Sequence, residues 1–167
     1  MSSFRLTKEQ LTLFHTFGYL HFPGLLNDRI ARIIEEFERI WVTEGGGHHG
    51  GSHDGKRRSC IVPYIDRNEY LCTMLDDPRL AGIAASILGD DFNYMGSDGN
   101  LYAGDTGWHS DGWHREVIHI KMAFYLDPVT STSGCLRVIP GSHRTDLRDT
   151  WDARKARDSA TLWGIAQ

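Results

Sequence analysis

Apolar positions recur at helical spacing in the first part of the chain and give way to short alternating runs further on. Leu11, Phe14 and Phe17 lie three residues apart, a spacing that lines one face of an α-helix. Thr7 and Gln10 form a capping-box pair before this run, and Gly18 is a natural stop after it. Tyr19-Leu20-His21-Phe22 alternates up to Pro23-Gly24, which predicts a short strand and a turn. Ile30, Ile33, Ile34, Phe37, Ile40 and Trp41 make one apolar stripe, predicting a second helix capped by Asn27 or Asp28. Glu35, Glu36, Glu38 and Arg39 are expected on its wet face. A third helix is predicted over 78–88, ended by Gly89.

From Phe92 the pattern changes. Residues 92–95, 100–102, 117–126 and 135–139 are short aromatic or β-branched runs separated by Gly, Asp, Ser and Pro. They predict an antiparallel all-β unit, a sandwich or jelly roll. Helices followed by strands make an α+β chain, mainly β in its second half, with the helices supporting one side of the β-fold. Residues 45–55 hold six glycines and three histidines, a composition that predicts a flexible loop. The segment after His143 is rich in Arg and Asp, with Leu147, Trp151 and Leu162 as apolar residues. It is open between a helix and an irregular surface segment.

Composition narrows the class. A chain of 167 residues with 40% hydrophobic and 24% charged positions suits one domain, 1–167, with a real core. Its formal charge of -4 gives no electrostatic support for binding nucleic acid or an anionic membrane. No apolar run approaches membrane-spanning length, and the N-terminus lacks a signal-peptide core. Cys60, Cys72 and Cys135 are odd in number and form no CxxC pair. They are expected to be reduced, packed thiols in a cytoplasmic protein.

The densest chemistry lies in Gly107-Trp108-His109-Ser110-Asp111-Gly112-Trp113-His114. His109 and Asp111 are two apart, and in extended chain such side chains point to one side. An imidazole nitrogen and a carboxylate oxygen can then grip one metal. A third ligand would complete the facial two-His-one-carboxylate triad of non-haem Fe(II) oxygenases. Three letters alone also suit a polar turn, but Trp108 and Trp113 flank the pair and could wall a dry site.

Several stretches, taken in order, resemble the phytanoyl-CoA dioxygenase family of Fe(II)- and 2-oxoglutarate-dependent oxygenases. They are Leu6-Thr7-Lys8-Glu9-Gln10 through Phe14, Gly18-Tyr19, Pro23-Gly24, Trp108-His109-Ser110-Asp111, 121–126, and Ser133-Gly134-Cys135-Leu136-Arg137-Val138-Ile139-Pro140-Gly141-Ser142-His143. The resemblance covers nearly the whole chain and is weakest in the Gly/His loop. It implies a double-stranded β-helix, a cupin-like jelly roll, with helical support. It implies Fe(II) held by His109 and Asp111 as catalytic metal ligands, with 2-oxoglutarate chelating that iron. It further implies reaction with O₂, in which 2-oxoglutarate is decarboxylated to succinate while a C–H bond of a small-molecule substrate is hydroxylated or otherwise oxidised.

The match is incomplete. The family's third ligand is a later histidine, followed by an arginine that binds the distal carboxylate of 2-oxoglutarate. After Asp111 the chain offers His114, His119 and His143. His114 is too near to reach round the iron, and His119 suits a strand partner or solvent. His143 matches the end of the family's Pro-Gly-Ser-His turn, a feature of the fold. The expectation is therefore a chain lacking the C-terminal strands. A short relative that binds a ligand or metal without oxygenase activity is the alternative, and a homodimer could supply missing strands.

Further candidates surround the HxD pair. Lys121, inside an apolar strand, either meets a carboxylate of 2-oxoglutarate or substrate, or snorkels out from a wet side. Asn100 and Tyr102 could donate hydrogen bonds to the co-substrate. Trp113 could line the substrate pocket. Arg57 and Arg58, at the end of the Gly/His loop, could meet an acidic substrate group. His48, His49 and His53 could bind a second metal, but a lid over the site is the better reading of so glycine-rich a loop.

Overall fold

A computed structural model describes residues 4–44, 55–104, 106–111, 117–144, 146–147 and 150. The elements in chain order are α1 (Lys8–Phe17), α2 (Ile30–Glu44), β1 (Ser59–Ile61), a 3-10 turn (Ile65–Arg67), α3 (Glu69–Cys72), α4 (Pro78–Leu88) and β2 (Gly99–Leu101). The chain forms two compact units, one of Met1–Arg5 with Pro23–Cys135, the other of Leu6–Phe22 with Leu136–Gln167. No helix among the described residues is long and apolar enough to cross a membrane.

The larger unit is built on the apolar stripe of α2. Ile33, Ile40 and Trp41 are buried with Leu26, Ile61, Tyr64, Leu71, Met74 and Leu80, and Met122 and Leu126 pack against this cluster. The Phe37 and Tyr64 rings lie 4.8 Å apart, and the Tyr64 hydroxyl donates to the Phe37 carbonyl at 2.7 Å. Tyr64 occupies the space where a Cβ on Gly99 would sit, so β2 passes the ring only as glycine. The Val62–Pro63 peptide bond is cis.

Glu36 departs from the sequence pattern. It is 1% exposed, not on the wet face. Arg32 and Arg39 pair with its two oxygens, and Asn68 donates to it at 2.7 Å, so the buried charge is compensated. The cap of α2 also differs: the helix begins at Ile30, and Asp28 accepts from Arg79 at 2.6 Å. α4 follows its pattern, with Asp77 as N-cap, Pro78 in the first turn and Gly89 at the end.

In the smaller unit α1 carries the full capping box: Thr7 N–H donates to the Gln10 side chain at 2.9 Å, and Gln10 N–H to the Thr7 hydroxyl at 3.2 Å. Its last turn leaves carbonyls without helical partners. Gly18 closes the turn in the left-handed region at φ +83°. The Pro-Gly-Ser-His turn meets the same end: Gly141 N–H donates to the Phe17 carbonyl at 2.9 Å, and His143 Nε2 to the His15 carbonyl at 3.1 Å. His143 is thus a fold contact, as the sequence suggested.

The expected strands are less fully formed. Among the described residues the sheet is the two-stranded β1–β2 pair, antiparallel, with Ser59 opposite Leu101 and Ile61 opposite Gly99. Residues 19–22, 92–95, 117–126 and 135–139 carry no strand assignment. Alternation survives only in part within 117–126: Ile120, Met122 and Leu126 are half-buried and Lys121, Ala123 and Tyr125 exposed, but Ile118 and Phe124, of the inward parity, are exposed too. A strand requires a ladder partner as well as a pattern, and these segments have none among the described residues.

Candidate metal centre

The β1–β2 pair sorts its neighbours by parity. Ser59, Ile61 and Gly99 are buried on one face. Cys60 pairs with Asn100 on the other, and Arg58, Asp98 and Tyr102 share that parity just outside the ladder. Arg58 Nε donates to Asn100 Oδ1 at 2.7 Å, Asn100 Nδ2 donates to Asp98 Oδ2 at 2.6 Å, and Arg58 Nη2 lies 3.6 Å from Asp98. The guanidinium also sits 5.1 Å over the Tyr102 ring, within cation–π range. Arg57 is exposed. Cys60 corrects the expectation of a packed thiol: it is exposed, with Arg58 Nη2 3.6 Å from its sulfur, whereas Cys72 and Cys135 are half-buried.

His109 and Asp111 lie on irregular chain after β2. His109 Nε2 is 3.4 Å from Asp111 Oδ1, and its Nδ1 is 2.7 Å from the Gly107 carbonyl. A carbonyl only accepts, so Nδ1 carries a proton in this contact, and Nε2 is the nitrogen turned to Asp111. Two cis ligands about 2.1 Å from an octahedral ion stand about 3 Å apart, close to the observed separation. An imidazole nitrogen and a carboxylate oxygen at this spacing, with the other ring nitrogen held by a carbonyl, fit a divalent metal.

Lys121 joins this pair to the sheet face. Its Nζ is 3.2 Å from Asp111 Oδ2. Desolvation opposes the ammonium charge, but the bond to Asp111 and the fields of Asp98, Asp111 and Tyr102 outweigh it and raise the Lys121 pKa. The sequence left Lys121 between a ligand partner and solvent. The structure gives it a protein carboxylate while leaving it more than half exposed. Exposed pairs of this kind contribute ~0.2–1 kcal/mol, so the contact orients more than it stabilises.

His109, Asp111, Lys121, Asp98, Asn100, Tyr102 and Arg58 are therefore connected through contacts and charge. Asp98 escaped the sequence reading, although its i, i+2, i+4 spacing with Asn100 and Tyr102 was a usable signal. Trp108 is half-buried. His119 turns Nδ1 to the Val117 carbonyl at 3.1 Å. No group of three potential metal ligands occurs among the described residues. Trp113, His114 and the loop histidines His48, His49 and His53 lie outside the described residues.

Comparison with known proteins converges on one family. The model of the phytanoyl-CoA dioxygenase family matches residues 14–165. An ectoine dioxygenase of Stutzerimonas stutzeri is 32% identical over 159 residues, covering 86% of this chain and 52% of the relative. An L-proline trans-4-hydroxylase of Streptomyces griseoviridis is 29% identical, covering 87% and 58%. A 2-aminoethylphosphonate dioxygenase from an uncultured bacterium is 26% identical, covering 81% and 57%. The chain thus spans little more than half the length of these relatives. No solved structure matches.

Proposed function

The chain belongs to the phytanoyl-CoA dioxygenase family, and on that premise we propose that it is a non-haem Fe(II)- and 2-oxoglutarate-dependent dioxygenase acting on a small molecule. The observation that supports this most directly is the facing of His109 Nε2 and Asp111 Oδ1 at 3.4 Å, with Nδ1 turned to Gly107. His109 and Asp111 hold the iron. Bound Fe(II), 2-oxoglutarate and O₂ supply the oxidising chemistry, with hydroxylation or oxidation of a C–H bond and release of succinate and CO₂.

The chain's own contribution is binding and placement. Lys121 and Tyr102 receive 2-oxoglutarate, with Asn100 behind them. Lys121 has three N–H donors, so its bond to Asp111 leaves others for a co-substrate carboxylate. Asn100 is already committed to Arg58 and Asp98, and so its part is to hold that face in register. Arg57, Arg58 and Trp113 meet the substrate. The relatives named for proline and 2-aminoethylphosphonate support a small charged substrate, since each of those molecules carries an acid and an amine. Arg58 over Tyr102 offers the matching cation.

The test is spectroscopic. The protein, loaded with Fe(II) without oxygen, is expected to develop a weak visible charge-transfer band on addition of 2-oxoglutarate. Asp111→Ala is expected to abolish it. Normal iron binding with no band and no succinate would sink the co-substrate reading.

A further inference from the structure

We infer that Lys121 is a positioning residue for the metal-binding carboxylate: by holding Oδ2 of Asp111 it leaves Oδ1 as the single oxygen presented to the metal. This rests on the function proposed above and adds to it how the carboxylate is made to bind through one atom.

Carboxylates ligate metals through one oxygen or both. A facial triad works by keeping its remaining positions open, and a bidentate Asp111 would occupy one of them. The two oxygens are divided between two partners: Oδ1 is 3.4 Å from His109 Nε2, and Oδ2 is 3.2 Å from Lys121 Nζ. Lys121 is exposed between half-buried Ile120 and Met122. Met122 and Leu126 are anchored against the core cluster, and Lys121 projects to the opposite side. Partners of this outer kind commonly set how a ligand is oriented.

The test uses Co(II), whose visible ligand-field absorption reports coordination number. The purified protein, Lys121→Met, Lys121→Arg and Asp111→Ala are titrated with Co(II) without oxygen. Lys121→Met frees Oδ2 and removes a positive charge beside the metal, so it is expected to bind Co(II) at least as tightly as the wild-type protein and to change the intensity of the ligand-field bands. Lys121→Arg still donates to Oδ2, so it is expected to keep the wild-type spectrum and an affinity within a few fold. Lys121→Met with the wild-type spectrum, or with weakened Co(II) binding, overturns the inference while leaving the metal centre standing. Wild-type protein that binds no Co(II), or Co(II) binding that survives Asp111→Ala, overturns the metal centre and the inference together. If Lys121→Met lowers the thermal midpoint, Lys121→Ala, which likewise lacks a donor, is measured with the same expectations and the same overturning result.

Discussion

His109 and Asp111 meet through one defined pair of atoms, Nε2 and Oδ1 at 3.4 Å, because the other ring nitrogen of His109 is held 2.7 Å from the Gly107 carbonyl. With Nδ1 donating to that carbonyl, Nε2 is the nitrogen that would ligate a metal in the proposed centre.

That choice separates two substitutions of similar chemistry. A glutamine amide reaches the Nε2 position, whereas an asparagine amide reaches only the Nδ1 position. His109→Gln is expected to retain Mn(II) binding weakened about 10–100-fold, and His109→Asn to lose it further. A Mn(II) titration followed by electron paramagnetic resonance checks the order. Equal binding by the two variants would mean that Nε2 is not the ligand.

Asp77 predicts an acid-sensitive contribution to stability. The Arg79 guanidinium bonded to it holds its carboxyl well below the usual range; burial opposes this, and Arg29 adds to the lowering. Because the folded pKa is the lower one, the stabilisation is complete above the unfolded value of about 4 and is lost as pH falls below it. Asp77→Asn keeps an N-cap but loses the charge in its bonds to Arg79 and Arg29. It is expected to cost about 2 kcal/mol at pH 7. Urea unfolding of both proteins should show this gap narrowing below about pH 4; a gap independent of pH would exclude the carboxylate as its source.

Glu36→Ala removes the acceptor shared by Arg32, Arg39 and Asn68. Breaking a fully buried pair costs about 3–5 kcal/mol. Here the two guanidinium groups are half exposed and can turn to water, so about 2 kcal/mol is expected. Glu38→Ala, at an exposed position of the same helix, is expected to change stability by under about 0.5 kcal/mol. Chemical denaturation of both variants measures the contrast.

Gly18→Ala meets two obstacles. The left-handed φ of +83° disfavours a Cβ, and that Cβ would overlap the His143 ring. A loss of roughly 2 kcal/mol is expected, from the backbone penalty and from displacement of the ring. Paired with His143→Ala, the loss should be smaller than the sum of the single changes. Additive losses in thermal unfolding would show that the ring does not constrain Gly18.

The helices with local signals were legible in the sequence. Thr7 with Gln10, Asp77 with Pro78, and the glycines at 18 and 89 act within a turn of where they sit, and α1 and α4 follow them. Glu36 was misplaced because its complement is partly non-local: Asn68 lies 32 residues away. β1, the 3-10 turn and α3 were missed. They are three or four residues long, too short to show a period.

The sequence by itself determined the family and the helices with local caps, and it singled out the two residues proposed to share a metal, because HxD spacing, caps and apolar periods are local facts. Only the tertiary structure decided which atoms of that pair face one another and what holds them. The Lys121–Asp111 contact joins residues ten apart. It exists because Met122 and Leu126 pack against the core and leave the alternate side of their segment to Lys121. Likewise Arg58 meets Asn100 across 42 residues through the β1–β2 register. Alternation says that a segment has two sides, and packing decides which side faces the site.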